Sequence, residues 1–350
     1  MGFAELRVQN IRCIESAELC LHSGCTLIWG GNGAGKTSLL EALYLLGRGR
    51  SFRTRRSEHL IRRGAERLTI FGRSETGLEY AGLEFDRLRG SHAKVNGTTL
   101  GSLAELTLTF PVQVIDPDIH KLVEESGRRR RRWLDWVVFH VEPRFGEWWV
   151  RYGRALSQRN AALRVRADAR PWEVELVDLG ERISEARRAT VAALQPHWRQ
   201  VIAAVGCPEG DLQYARGWSS QLSLQEALEG SRKRDEVRQA TQAGPHRADV
   251  LIHVAGRPAR EVLSRGQQKL MAAALTLAQL QLLRDTSGVL PALLLDDPAA
   301  ELDAEHLATF VQQISRLGCQ LVVTSLQPEI PGFRRPDRVF HVEQGRVSPV

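Results

Sequence analysis

Apolar and polar positions alternate over Glu5–Gln9, which predicts a strand. A short apolar run, Cys25–Trp29, ends in a glycine cluster, and Ser38–Leu46 then puts Leu39, Leu40, Leu43 and Leu46 on one helical face. Between 67 and 110, strand-like runs at Leu68–Gly72, Leu78–Phe85 and Lys94–Leu100 are separated by glycine turns and predict an antiparallel β layer. The pattern changes near Ile119. From there to about Ala240 the chain is rich in Arg, Ala, Leu, Glu and Trp with helical spacing, as in Glu181–Val201. This predicts a helical lobe inserted into an α/β domain, and the absence of a long heptad array predicts no extended coiled coil. Strand character returns at Asp249–Val254, followed by a helix over Gln267–Leu283. The apolar runs Ala292–Leu295 and Gln320–Thr324 then flank a helix over Ala304–Leu317, which is the parallel α/β pattern. The organisation expected is 1–118 with 245–350 as one lobe and 119–244 as a second.

Composition narrows the class. With 43% hydrophobic and 25% charged residues the chain should fold as a soluble globule. A net charge of +7 favours a polyanionic partner, nucleic acid first. Five cysteines, an odd number with no Cys-x-x-Cys pair, point to a reducing compartment with neither a disulfide framework nor a zinc site. The opening residues lack a basic start followed by an apolar run, so no signal peptide is expected. The apolar stretch Leu270–Leu283 is interrupted by Gln and Thr and is too short to span a bilayer. A cytoplasmic protein without a membrane partner is the expectation.

Three motifs carry chemistry. Gly30-Gly31-Asn32-Gly33-Ala34-Gly35-Lys36-Thr37 matches G-x-x-x-x-G-K-[ST], with an apolar strand before it and a helix after it. Glycines permit the tight turns and leave backbone N–H groups free to surround phosphate oxygens. The set expected to hold ATP is Gly30 to Thr37 together with Ser38. Lys36 would reach the β- and γ-phosphates, and the Thr37 hydroxyl would ligate Mg2+. Second, the apolar run Ala292–Leu295 ends in Asp296-Asp297. Asp296 is placed to hold Mg2+ and Asp297 to orient the attacking water, making Lys36, Asp296 and Asp297 the catalytic candidates. Third, Leu263-Ser264-Arg265-Gly266-Gln267-Gln268 opens the long helix, where Ser264 is also a good helix cap.

Ser-x-Gly-Gln-Gln ahead of a helix and an acidic strand resembles the signature of the ABC ATPases, whose fold is an α/β head with a P-loop core. In that family ATP is sandwiched between the phosphate loop of one subunit and the signature of another. The resemblance therefore implies an ATP-dependent homodimer in which Ser264, Gly266 and Gln267 contact the γ-phosphate. Ala300-Glu301-Leu302-Asp303 resembles the D-loop that crosses the same interface. Ser264 stands 264 − 35 = 229 positions after Gly35, far beyond the transporter spacing, and this insertion resembles the SMC-like repair branch. Within it, Asn10-Ile11-Arg12, Leu39-Leu40-Glu41-Ala42, Gly49-Arg50-Ser51-Phe52-Arg53, Arg130–Asp135, Gln158–Leu163 and Gly244–Asp249 are similar to segments of the RecF family across the whole chain. That likeness implies a recombination mediator that binds duplex and gapped DNA and acts with RecR and RecO to load RecA. It also implies that Arg12 reaches the nucleotide. Arg265 replaces the first signature glycine, and Asp297 replaces the usual catalytic glutamate; the shorter carboxylate predicts slow hydrolysis, and the likeness implies that DNA stimulates it. Thr324-Ser325 stands where transporters carry a switch histidine.

The basic segments carry two readings each. Arg50, Arg53, Arg55 and Arg56 form a candidate DNA surface, as do Arg128 and Arg129 of the run Arg128–Arg132. The run also fits a solvated helix face or ion pairs inside the helical lobe. The spacing of Trp133, Trp136, Trp148 and Trp149 favours core packing over base stacking. His246 is either a residue near the nucleotide or a hydrogen-bonded structural histidine. Two other functions compete with the mediator: an ABC subunit powering a transporter, and a DNA-binding scaffold that never hydrolyses ATP.

Overall fold

Continuous apolar runs become the centre of a parallel sheet in the computed structural model, which describes residues 2–300, 304–330, 333 and 335–350. The strand order is Arg346–Pro349, Arg338–Glu343, Cys25–Trp29, Leu321–Ser325, Ala292–Asp296 and Val112–Ile115. Every neighbouring pair is parallel except the first, which is antiparallel. Leu293, Leu294 and Leu295 are fully buried, as strands covered on both faces require. The edge strands Val112–Ile115 and Arg346–Pro349, and Arg338–Glu343 inside the latter, carry no clear sequence signal.

The predicted antiparallel layer is a second six-stranded sheet, ordered Ile14–Cys20, Phe3–Ile11, Arg67–Ser74, Tyr80–Asp86, Gly90–Val95 and Thr98–Thr99. Leu6 and Val8 point inward while Arg7 and Gln9 point to solvent, so only one face is buried. The helix Lys36–Arg48 packs against strands of both sheets. This explains why Ala42 and Leu45 are buried as fully as the leucine face read from the sequence. Gly49, in the left-handed region at φ 62, ends the helix with its N–H bonded to the Leu45 carbonyl.

These elements form one compact unit, which runs to Ile119 and includes Ala204–Gly206 and Gly288–Val350. The second unit comprises His120–Ala203 and Cys207–Ser287. It holds the helices Gly127–Val141, Phe145–Arg164, Leu224–Arg238 and Arg265–Ser287, with nearly all of Glu173–Ala204. Its small antiparallel sheet pairs Asp249–Val254 with Asp211–Ala215, a strand hidden in the predicted helical stretch. The second boundary differs from the sequence reading. Helix Arg265–Ser287 packs on Gly127–Val141, and Gln279 Nε2 donates to the Trp133 carbonyl at 2.6 Å, so the chain returns to the first unit at 288 rather than 245. No described helix is long and apolar enough to cross a membrane.

Buried arginines tie elements of the second unit to one another within an otherwise mainly apolar interior. Arg130 makes a two-pronged pair with Asp249 at 2.8 and 2.9 Å. Arg187 does the same with Asp135 at 2.7 and 2.9 Å, and also donates to the Pro245 carbonyl at 2.6 Å. The segments Arg130–Asp135 and Gly244–Asp249 thus hold each other through these side chains. Trp133, Trp136 and Trp148 are buried, in line with the packing reading, whereas Trp149 is 36% exposed and departs from it.

Candidate nucleotide-binding site

The phosphate loop joins the strand Cys25–Trp29 to the helix Lys36–Arg48. Gly30 is required by crowding: a Cβ there would lie 2.1 Å from the Val342 carbonyl oxygen. Gly35, at φ 119, takes a backbone conformation that side chains resist. The loop is pinned by Gly30 N–H to Ser325 O at 3.2 Å and by Gly345 N–H to Ala34 O at 2.9 Å. Lys36 Nζ bridges the Gly30 and Gly31 carbonyls at 2.8 and 2.9 Å. Burial lowers the Lys36 pKa, and the nearby Asp297 and Asp296 charges oppose that shift. Gly31, Asn32 and Gly33 are exposed at the turn, while Ser38 is buried in the first helical turn.

The acidic strand end arrives beside this helix. Asp296 Oδ1 accepts from the Thr37 hydroxyl at 3.0 Å and from the Thr324 hydroxyl at 2.7 Å. Thr324 Oγ1 also accepts from the Asp297 N–H at 3.0 Å, with Asp297 in the left-handed region at φ 48. Thr324 therefore ties both carboxylate residues to the neighbouring strand. Thr37 and Asp296 together present the hard oxygen donors that a divalent cation such as Mg2+ takes.

Arg12 stands at the turn between the first two strands. It spends Nε and Nη2 on the two carboxylate oxygens of Glu41, at 2.9 Å each, so its guanidinium lies on the phosphate-loop helix. Glu41 is fully buried, and its pairing with Arg12 carries no signal in the sequence, where it falls within Leu39-Leu40-Glu41-Ala42.

In the second unit, Ser264 and Gln267 form reciprocal cap bonds: Gln267 N–H to Ser264 Oγ at 3.3 Å and Ser264 N–H to Gln267 Oε1 at 3.0 Å. Ser264, Arg265, Gly266 and Gln267 are all exposed, and a Cβ on Gly266 would meet nothing within 4 Å. Of the D-loop segment, Glu301, Leu302 and Asp303 lie outside the described residues.

Arg50, Arg53, Arg55 and Arg56 are exposed and have no ion-pair partner among the described residues. The run Arg128–Arg132 divides around its helix. Arg128 is exposed, Arg129 pairs with Glu125 at 3.3 Å, Arg130 is buried on Asp249, and Arg131 donates to the Ala248 carbonyl at 2.5 Å. The second reading of the run, ion pairs within the lobe, holds for Arg129 and Arg130.

His246 is structural in its surroundings. Its Nδ1 lies 2.6 Å from the Tyr152 hydroxyl and its Nε2 lies 3.0 Å from the Thr241 carbonyl. Because a carbonyl only accepts, Nε2 carries the proton and Nδ1 accepts from Tyr152. Burial, with Arg247, Arg131 and Arg187 nearby, pushes its pKa down from 6.5 to about 4. A depressed histidine pKa means that the unfolded chain takes up the proton first. Its contribution is complete above pH 6.5 and is lost as pH falls towards 4. Over that window the stability loss from this residue is expected to be on the order of 3 kcal/mol at most. Urea titrations from pH 7 to pH 4.5 should show a shallower acid-side decline in His246→Asn; an unchanged decline would exclude His246 as its source.

Residues 3–348 match the RecF/RecN/SMC N terminal domain family. The DNA replication and repair protein RecF of Shewanella pealeana is 37% identical over 363 residues, covering 100% of both chains. That of Pseudomonas paraeruginosa is 38% identical over 360 residues, covering 99% of this chain and 98% of its own. Among solved structures, the recombination mediator protein RecF with ATP, of the RecFOR pathway, matches with a TM-score of 0.89 at 26% identity over 99% of each chain. An Smc head bound to the C-winged helix domain of ScpA matches at a TM-score of 0.59 and 16% identity, over 100% of this chain and 97% of its own, a likeness of fold alone.

Proposed function

This chain belongs to the RecF family of DNA replication and repair proteins, ATP-binding members of the RecF/RecN/SMC group, and we propose that it is an ATP-switched DNA clamp. In this reading the Gly30–Ser38 loop and helix start surround the triphosphate of ATP, and Lys36 neutralises its outer phosphates. Thr37 and Asp296 hold Mg2+, which supplies charge neutralisation at the phosphates, and Asp297 orients the water for slow hydrolysis that DNA stimulates. Ser264, Gly266 and Gln267 of a second copy complete each site, so the bound state is a homodimer. Arg50, Arg53, Arg55 and Arg56, with Arg128, then neutralise phosphates of duplex or gapped DNA. With RecR and RecO the clamp would promote RecA loading in the cytoplasm.

The observation that carries this reading is the signature turn itself. It is fully formed by its own cap, yet Ser264, Arg265, Gly266 and Gln267 all face solvent. Molar mass by light scattering tests it. Mass should double with ATP and Mg2+ but not with ADP, and Ser264→Arg should stay monomeric. A parent protein that is monomeric throughout, or dimeric whatever the nucleotide, would sink the clamp. Phosphate release lost in Asp297→Asn separates the clamp from a non-hydrolysing scaffold. Stable co-purification with a membrane protein would instead favour the transporter reading.

A further inference from the structure

The arginine segment that follows the phosphate-loop helix is anchored at both ends, and both anchors lead back to the nucleotide loop. At its start, the Ser51 hydroxyl donates to Glu41 Oε1 and accepts from the Arg53 and Thr54 N–H groups at 2.9 and 3.0 Å. At its end, the Arg12 N–H donates to the Leu60 carbonyl and the Arg62 N–H to the Asn10 carbonyl, both at 2.8 Å. Glu41 is fully buried, and Arg12 covers both of its oxygens. The turn that carries Arg12 rests on the loop. Cys13 Sγ is 3.9 Å from the Gly33 carbonyl, and a Cβ on Gly35 would come within 3.1 Å of Cys13 Sγ and 3.2 Å of Ile14 Cγ1.

A buried carboxylate needs a cation and hydrogen-bond donors. Arg12 supplies the charge while spending two of its five N–H donors. Its side chain is 23% exposed, so the remaining donors can reach an anion. A phosphate that draws on Arg12 competes with Glu41 for the same guanidinium, and Glu41 then relies more on Ser51. We propose that Glu41 is a positioning residue: the Arg12–Glu41–Ser51 clasp makes the placement of the 50–62 segment depend on what occupies the nucleotide loop. The inference rests on the nucleotide-binding reading above and extends it to a connection between that loop and the exposed arginines.

Hydrogen exchange on the full chain tests the clasp without DNA. In the parent, ATP should slow exchange of the amides at 51–62 relative to ADP. Ser51→Ala should abolish that difference and Ser51→Thr should restore it. Ser51 shares Glu41 with Arg12, so by reciprocity Ser51→Ala is expected to weaken ATP binding by up to about five-fold, and both proteins are compared at saturating ATP. Duplex DNA affinity with ATP against ADP should differ by about five-fold or more in the parent and approach equality in Ser51→Ala. Glu41→Gln should behave like Ser51→Ala where it folds, but the Ser51 pair carries the test. The clasp is overturned if the exchange difference persists in Ser51→Ala, or if the parent shows none while binding ATP. A parent that binds no ATP would overturn the nucleotide reading and the clasp with it. The triple variant Arg53→Ala, Arg55→Ala, Arg56→Ala separates the remaining assignment. Unchanged DNA binding there, with the exchange result as expected, removes the arginines as the DNA surface and leaves the clasp standing.

Discussion

Lys36→Met is expected to weaken ATP binding by roughly 100-fold, the equivalent of about 3 kcal/mol of charge-assisted hydrogen bonding. The residue is 8% exposed, at the first turn of its helix, and its ammonium already lies inside the loop on the carbonyls of Gly30 and Gly31. An ammonium there meets the outer phosphates without moving far, and methionine fills the same space with no charge and no donor. The fold itself should survive, because methionine is apolar, unbranched and a good helix former. Thermal denaturation distinguishes the two effects. Without nucleotide, parent and variant should melt together. ATP at about 100 times its dissociation constant should add about 2.7 kcal/mol to the parent, and the same concentration should leave the variant almost unshifted. Equal ATP stabilisation of both proteins would show that Lys36 is not at the phosphates.

What was legible in the sequence is what depends on local geometry. The phosphate loop needs particular backbone conformations at Gly30 and Gly35 and particular side chains at Lys36 and Thr37, all within eight positions, so it reads directly. The leucine face of Lys36–Arg48 and the buried strand Ala292–Asp296 read from periodicity for the same reason. What stayed hidden depends on which strand lies beside which. Thr324 reaches Asp296 only because Leu321–Ser325 pairs in parallel with Ala292–Asp296 in a register that sets these two residues opposite each other. Arg12 and Glu41, 29 positions apart, meet only because the first strand and the helix pack together. The strand Asp211–Ala215 has too little alternation to stand out among helices, and it exists because Asp249–Val254 offers it an edge. Five consecutive arginines look alike in sequence, but a helix turns them to different surroundings, which is why Arg130 is buried on Asp249 while Arg128 faces solvent. The allegiance of helix Arg265–Ser287 to the second unit is likewise a matter of packing, beyond the reach of a pattern read along one chain.

The buried pair Arg159–Asp235 should give the largest effect on stability. Arg159 is 1% exposed and Asp235 fully buried. Arg159 donates to Asp235 and to the Thr241 hydroxyl at 2.8 Å each, and to Glu173 Oε1 through Nε and Nη2 at 3.2 and 3.0 Å. Asp235 in turn accepts the Gln242 N–H at 3.0 Å, so the cluster joins helices Phe145–Arg164 and Leu224–Arg238 to the chain beyond them. Arg159→Leu leaves a carboxylate out of water without its cation, and the expected loss is about 3–5 kcal/mol. The value of the pair is mostly the penalty for breaking it, because two charges are costly to desolvate even when they meet well. Removing both charges should therefore restore much of what one substitution takes away. Urea unfolding of Arg159→Leu, Asp235→Leu and the double variant measures this directly. A double variant less stable than Arg159→Leu alone would mean that Arg159 and Asp235 each stabilise the unit through separate partners, Glu173 and Thr241 on one side and the Gln242 amide on the other, rather than through their mutual charge.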